Sequence, residues 1–206
     1  MLLLHHTNAD GSCIAVAEMP DGEITPPAGF FSEQEEQEYR QLGSAKRRRE
    51  RAATLHLLHS ALGVEDALHH LPNGTPYLRA GSHRISISHT RNQVAVALHP
   101  CREAGVDIEE LSRSVAKVAP RYLSAGEREE CATQEQQCLA WCAKETVYKL
   151  AGEEGVDFAE QIRLNRFDVT PPEGSITAFF TGKNKTASFM IRYRIIGGLA
   201  VCYAFA

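Results

Sequence analysis

The most constraining feature of this chain is an order of elements that occurs twice. Ser32-Glu33-Gln34-Glu35 and Ser124-Ala125-Gly126-Glu127 both have the S-x-x-E form of a helix start, in which serine and glutamate satisfy free N–H groups of the first turn. Each is preceded by strand-like sequence: Met1 to Met19, with a turn at Asn8-Ala9-Asp10-Gly11, and Gly105 to Ile108. Each is followed by a longer helical pattern. The first runs from Ala45 to Leu62, with Ala52, Leu55, Leu58 and Leu62 on one stripe and Gly63 closing it. The second runs from Gln136 to Leu150 and stops near Gly152. Both halves end in paired strand-like runs, Arg84 to Leu98 around Arg91-Asn92 and Ser188 to Phe205 through Gly197-Gly198. A loop with Pro20, Pro26, Pro27 and Gly29 and a turn at Asn73-Gly74-Thr75-Pro76 complete the first half.

This order predicts an α+β fold of two pseudo-symmetric halves, each a small β-sheet packed on helices, arising from an internal duplication. The expected domains are 1–101 and 102–206, joined near His99-Pro100-Cys101. Such a chain is expected to place a ligand cleft between its lobes. With 206 residues, 43% hydrophobic and 23% charged, it can build cores of ordinary size. A net charge of −4 gives no global attraction to nucleic acid or anionic membrane, so any anion site must be local. The N-terminal Met1-Leu2-Leu3-Leu4-His5-His6 lacks a basic leader region, and no stretch approaches the roughly 20 apolar residues of a membrane span. The expectation is a cytoplasmic protein. Six cysteines lack CxxC spacing. Cys138 and Cys142 lie four apart but read as small buried residues, and His56, His59, His69 and His70 as packing or surface groups.

Chemistry concentrates in two places. In Gly105-Val106-Asp107-Ile108-Glu109-Glu110, strand alternation sends Asp107 and Glu109 to one face, Val106 and Ile108 to the other, and Glu110 away from Glu109. Two neighbouring carboxylates suit a hard cation such as Mg²⁺, which completes its shell with water and phosphate oxygens. The hexapeptide alone also suits a half-exposed strand whose acids face solvent. In Trp141-Cys142-Ala143-Lys144-Glu145-Thr146-Val147-Tyr148-Lys149, helical spacing puts Trp141, Glu145 and Lys149 on one side, with Lys144 beside them. A carboxylate flanked by lysines can ligate a metal while the lysines meet phosphate.

Together these segments resemble the paired signature of the 4'-phosphopantetheinyl transferases, G-[IV]-D-[IV]-E and W-x-x-K-E-[SAT]-x-x-K. Arg121-Tyr122-Leu123-Ser124-Ala125-Gly126-Glu127 is similar to that family's R-F-[FL]-S-x-x-E, Ile85-Ser86-Ile87-Ser88-His89-Thr90 to its ISHS segment, and Asn73-Gly74-Thr75-Pro76-Tyr77-Leu78 to its G-K-P-Y-L turn. The resemblance spans most of Ala45 to Gly152, and the length and inferred duplication resemble the longer, surfactin-synthetase type, which implies a monomer. It implies transfer of the phosphopantetheine arm of coenzyme A to a serine of an acyl or peptidyl carrier protein, with release of 3',5'-ADP. It further implies Mg²⁺ on Asp107, Glu109 and Glu145, with Glu145, directly or through a metal-bound water, as the serine's base and Lys149 and Lys144 on developing oxyanions. Coenzyme A phosphates would meet Ser88, His89, the Thr75 turn and at least one of Arg47, Arg48 and Arg49.

Two positions depart from the pattern. The family's turn lysine is Thr75 here, and the arginine and tryptophan of its E-W-L-A-x-R segment are Leu55 and Arg51. The 3'-phosphate contact would then pass to Arg79, Arg84 or the arginine run. Basic residues Lys117, Arg121 and Arg128 are candidates to receive an acidic carrier. The rival readings are a non-catalytic coenzyme A or nucleotide-binding module and a Mg²⁺-dependent pyrophosphate hydrolase. A nucleic-acid role for the run Lys46-Arg47-Arg48-Arg49 is disfavoured by the acidic net charge.

Overall fold

The computed structural model describes residues 1–22, 24 and 29–206; the loop residues Pro26 and Pro27 lie outside them. The chain divides into two compact units, Met1–Glu103 and Ala104–Ala206. Their mixed helix and sheet content, with five α-helices among the described residues, is compatible with the α+β class.

In the first unit, strands β1 (Leu2–Thr7) and β2 (Cys13–Glu18) form an antiparallel hairpin. Helix α1 (Glu33–Gln41) starts at Ser32, where the predicted capping box is complete: Ser32 accepts from the Glu35 N–H and Glu35 accepts from the Ser32 N–H. Helix α2 (Ala45–His56) follows, capped by Ser44. The long helix expected to reach Leu62 is not uniform. From Leu57 to Ala61 it widens into a π-helical turn, in which the Leu62 N–H reaches back to the Leu57 carbonyl, and Gly63 at φ 65° ends it. Strands β3 (Leu68–His70) and β4 (Pro76–Leu78) form a small ribbon across the predicted turn. Strands β5 (Arg84–His89) and β6 (Gln93–His99) complete an antiparallel sheet of order β1-β2-β6-β5. Cys13 and Ala15 of β2 face a core with Ala53, Leu55, Leu57 and Leu58.

In the second unit, β7 (Ala104–Glu110) leads through a short 3₁₀ turn to α3 (Ala125–Glu130), started by a second complete capping box at Ser124 and Glu127. Helix α4 (Gln134–Ala151) is the longest element and ends at Gly152, φ 62°, the left-handed stop read in the sequence. A one-turn α5 (Phe158–Gln161) follows, then β8 (Ile162–Leu164), β9 (Glu173–Thr181), β10 (Thr186–Ile196) and β11 (Leu199–Phe205). The sheet order is β7-β11-β10-β9-β8, antiparallel throughout. The terminal pair expected from the sequence is thus part of a five-stranded sheet. In both units the last strand pairs with the strand that precedes the capped helices.

All six cysteines are free; five are buried and Cys101 is exposed. Cys138 and Cys142 face β7 from α4, their thiols donating to the Glu110 and Asp107 carbonyls at 3.6 and 3.2 Å. No helix among the described residues is long and apolar enough to cross a membrane.

Candidate active site

The second-unit site is created by a close approach of helix to strand. Gly105 opens the acidic strand, and a Cβ there would lie 2.7 Å from Leu150 Cγ and 2.8 Å from the Thr146 carbonyl oxygen. Only hydrogen in that place lets α4 settle onto β7. Residues 105, 107 and 109 share one face of the strand, and Trp141, Glu145 and Lys149 share one stripe of the helix. The stripe lies along the strand in reverse order. The Lys149 ammonium donates to the Val106 carbonyl at 2.7 Å and to Asp107 Oδ1 at 2.9 Å. At the other end the Trp141 indole N–H donates to Glu109 Oε1 at 2.8 Å. Glu145 falls between them in the stripe.

The acidic face is therefore not the solvent-facing one. Asp107 is 6% exposed, because the side of β7 that carries it is the side α4 covers. Burial pushes the Glu145 carboxyl up to about 7; the Asp107 and Glu109 carboxylates add to the rise, while Lys149 and Arg113 oppose it. A carboxyl raised by burial, with neighbouring acids adding to the rise, is one that a bound cation would ionise. Oxygen donors on three carboxylates also match the chemistry of a hard divalent ion. The donor set fits such an ion in kind. Among the described residues, no three His, Cys, Asp or Glu side chains stand together in metal-holding geometry. Two of the acids are neutralised from within instead, Asp107 by Lys149 and Glu109 by Arg113, whose Nη1 lies 2.5 Å from Oε1.

Lys144 is not part of this group. One residue from Glu145 is about 100° around the helix, and Lys144 accordingly points inward with 0% exposure. Its ammonium donates to Glu127 Oε2 at 2.8 Å and to the carbonyls of Phe158 and Ile162 at 3.0 and 2.6 Å. Burial lowers its pKa and Glu127 opposes that. The expected oxyanion contact is replaced by an interior tie between α3, α4 and the α5–β8 turn.

Beside Glu145 opens a cavity of about 620 Å³ lined by Arg113, Arg121, Trp141, Tyr148, Val118 and Phe158, among others. Arg113 escaped the sequence reading. It follows β7 through a turn, where spacing carries no facial information, so no pattern pointed to it.

In the first unit, Arg47 and His89 line one cavity of about 360 Å³, with Glu50, Arg51, Thr54 and Gly74. The Thr54 hydroxyl donates to the Glu50 carbonyl, so His89 Nε2–H donates to Thr54 Oγ1, at 2.8 Å. Arg48 and Arg49 are directed elsewhere. Arg48 donates to the Leu42 carbonyl, and Arg49 to three carbonyls, those of Pro20, Arg91 and Met19. Ser88 is 7% exposed on the strand face opposite His89. Thr75 is exposed in the β3–β4 turn next to Gly74. Arg79 donates to Gln34 and Arg84 pairs with Glu103, so neither lines this cavity. Leu55 is fully buried in the core, whereas Arg51, 8% exposed, lines the cavity and donates to the Leu68 carbonyl and Glu38.

No curated protein matches the chain closely enough to count as a relative. The matching family model is described as the 4'-phosphopantetheinyl transferase superfamily and covers the second unit almost end to end. The match runs over residues 103–204, so Asp107, Glu109, Trp141, Glu145 and Lys149 all lie inside the stretch that is similar to this superfamily.

Proposed function

We propose that this protein transfers the 4'-phosphopantetheine arm of coenzyme A to a serine of an acyl or peptidyl carrier protein, releasing 3',5'-ADP in a Mg²⁺-dependent reaction. The observation that carries this reading is the Trp141–Glu145–Lys149 stripe laid along Asp107 and Glu109, within the stretch that matches the superfamily. The repeated order of strand, capped helix, long helix and closing hairpin supports the longer, surfactin-synthetase type of duplicated chain.

Asp107, Glu109 and Glu145 would hold Mg²⁺, which when bound supplies charge neutralisation at the coenzyme A diphosphate. In the transfer, the serine Oγ attacks the phosphorus that bears pantetheine, and the phosphoanhydride bond to 3',5'-ADP breaks. Glu145, directly or through a bound water, takes the serine proton. Lys149, a quarter exposed, keeps Asp107 in place and offers positive charge to the oxygens where charge develops. Arg47 and His89 are assigned to the phosphates at the nucleotide end. Lys117, Arg121 and Arg128, all exposed, are assigned to an acidic carrier surface.

The test is incubation with coenzyme A, Mg²⁺ and an apo carrier protein, followed by intact mass. The expected result is a phosphopantetheine-sized gain that EDTA, Asp107→Ala and Glu145→Ala each abolish. Failure with several acyl and peptidyl carriers, the protein being folded, would favour a coenzyme A-binding module. Cleavage of coenzyme A without carrier modification would favour a hydrolase.

A further inference from the structure

We infer that Trp141 is a positioning residue for Glu109: with Arg113 it fixes one carboxylate oxygen, so that the other is presented to a divalent cation. The inference deepens the metal reading above and rests on it. Strand alternation aims Glu109 toward α4 but leaves its side-chain torsions open, and Glu109 lies one residue from the end of β7. A glutamate in that place needs a restraint to hold one rotamer.

The indole supplies one. Its ring packs edge-on against Tyr122, centroids 5.0 Å apart at 74°, and stacks on Phe158 at 5.7 Å and 27°. Tyr122 is fully buried and donates from its hydroxyl to the Gln137 carbonyl, so the platform is itself fixed. From this seat the Nε1–H donates to Glu109 Oε1 at 2.8 Å, and the Arg113 guanidinium meets the same oxygen. Among the described residues no donor engages Oε2. A carboxylate with one oxygen clamped and the other unengaged has the outer-shell arrangement that orients a metal ligand.

The two donors differ in kind. Trp141 is neutral and packed against two rings; it orients the carboxylate without competing for its charge. Arg113 is cationic and its side chain is 53% exposed, so it competes with any arriving cation and can leave. Removing each should therefore move metal affinity in opposite directions.

The experiment titrates the full chain with Mn²⁺ in the absence of coenzyme A, following free ion by electron paramagnetic resonance. Trp141→Phe is expected to weaken Mn²⁺ binding about tenfold, within the range for outer-shell partners of metal ligands. Arg113→Gln is expected to tighten it. With coenzyme A and a carrier, Trp141→Phe should recover the wild-type transfer rate at saturating Mg²⁺, which a general loss of structure would not allow. If Trp141→Phe does not fold, the wild-type protein still decides: Mg²⁺ should shift the emission of its one tryptophan, and Glu109→Gln should remove the shift. Unchanged Mn²⁺ affinity in Trp141→Phe, or an emission indifferent to Mg²⁺ that Asp107 and Glu145 nonetheless bind, overturns the positioning role and leaves the transferase reading standing. No Mn²⁺ binding by the wild type, with Asp107→Asn indistinguishable from it, overturns the metal reading and this inference together.

Discussion

In both units a capping-box glutamate is buried and also joins the start of a helix to a short strand. Glu35 accepts from the Ser32 backbone and hydroxyl, from His59, and from the Leu68 N–H that opens β3. Glu127 accepts from the Ser124 backbone, from Lys144, and from the Leu164 N–H of β8. Each long helix adds an inward cation that grips the same short strand by a carbonyl: Arg51 reaches Leu68 at 2.5 Å and Lys144 reaches Ile162 at 2.6 Å. The units part company on the helix–strand face. Where β7 presents Gly105, Asp107 and Glu109 to α4, β2 presents Cys13, Ala15 and Ala17 to its core. Beside the inward cation, α4 has Glu145 and α2 has Ala52. The first unit leaves an apolar cavity of about 440 Å³ there, lined in part by Ala17, Phe30, Ala52, His56 and Val94. A polar site in one unit and an apolar hollow in the other thus follow from a few side chains on one helix–strand face.

The sharpest break of this comparison is Glu127→Ala. It leaves the Lys144 ammonium at 0% exposure without its acid and should destabilise the protein by about 3–5 kcal/mol in urea unfolding. A loss under about 1 kcal/mol would show that the tie does not hold the second unit together. Next comes the acid dependence of the first unit's counterpart. Burial raises the Glu35 carboxyl, but hydrogen bonds from His59, Ser32 and Leu68 outweigh it and bring the pKa down to about 2 from 4.5. A depressed carboxylate stabilises the fold above its unfolded pKa and loses that contribution as pH falls through the folded one. The advantage of wild type over Glu35→Gln should therefore be full above about pH 4.5, of order 3 kcal/mol, and vanish toward pH 2. A constant gap across that window would contradict it.

Gly105→Ala tests the helix–strand approach itself. The new methyl meets Leu150 and the Thr146 carbonyl at under 3 Å, so unfolding should show a loss of about 1–3 kcal/mol. Carrier modification should fall by more than that loss of folded protein accounts for, because Lys149 and Glu145 move off Asp107. The smallest effect on stability is expected at Arg47. Arg47→Ala should change unfolding by less than about 0.5 kcal/mol yet weaken coenzyme A binding measured by calorimetry. Arg49→Ala should do the reverse, since its three carbonyl bonds serve the fold.

Features set by local chemistry were legible in the sequence. Both capping boxes and the Gly152 stop depend on residues three or four apart, and they stand where the spacing put them. The common face of Asp107 and Glu109 was legible for the same reason. Which partner covers that face was not, because alternation distinguishes two sides without saying where the helix lies. The inward turn of Lys144 was available from the helical angle, but the adjacent motif letters drew it together with Glu145. Strands β8 and β9 escaped because β8 has three residues and Phe179 on the exposed side of β9 blurs its alternation. The direction of Arg49 depends on carbonyls 29 to 42 residues away, which no short pattern encodes.

The free cysteines provide a way to watch the units come apart. In the folded chain only Cys101 is open to a thiol reagent, so native labelling should stop at one adduct per molecule. Cys13 is the one buried thiol of the first unit, whereas Cys131, Cys138, Cys142 and Cys202 all lie in the second. Adduct number, followed by mass as denaturant rises, then becomes a counter for order of opening. A step from one to two marks the first unit, and a step of four marks the half that carries the acidic strand.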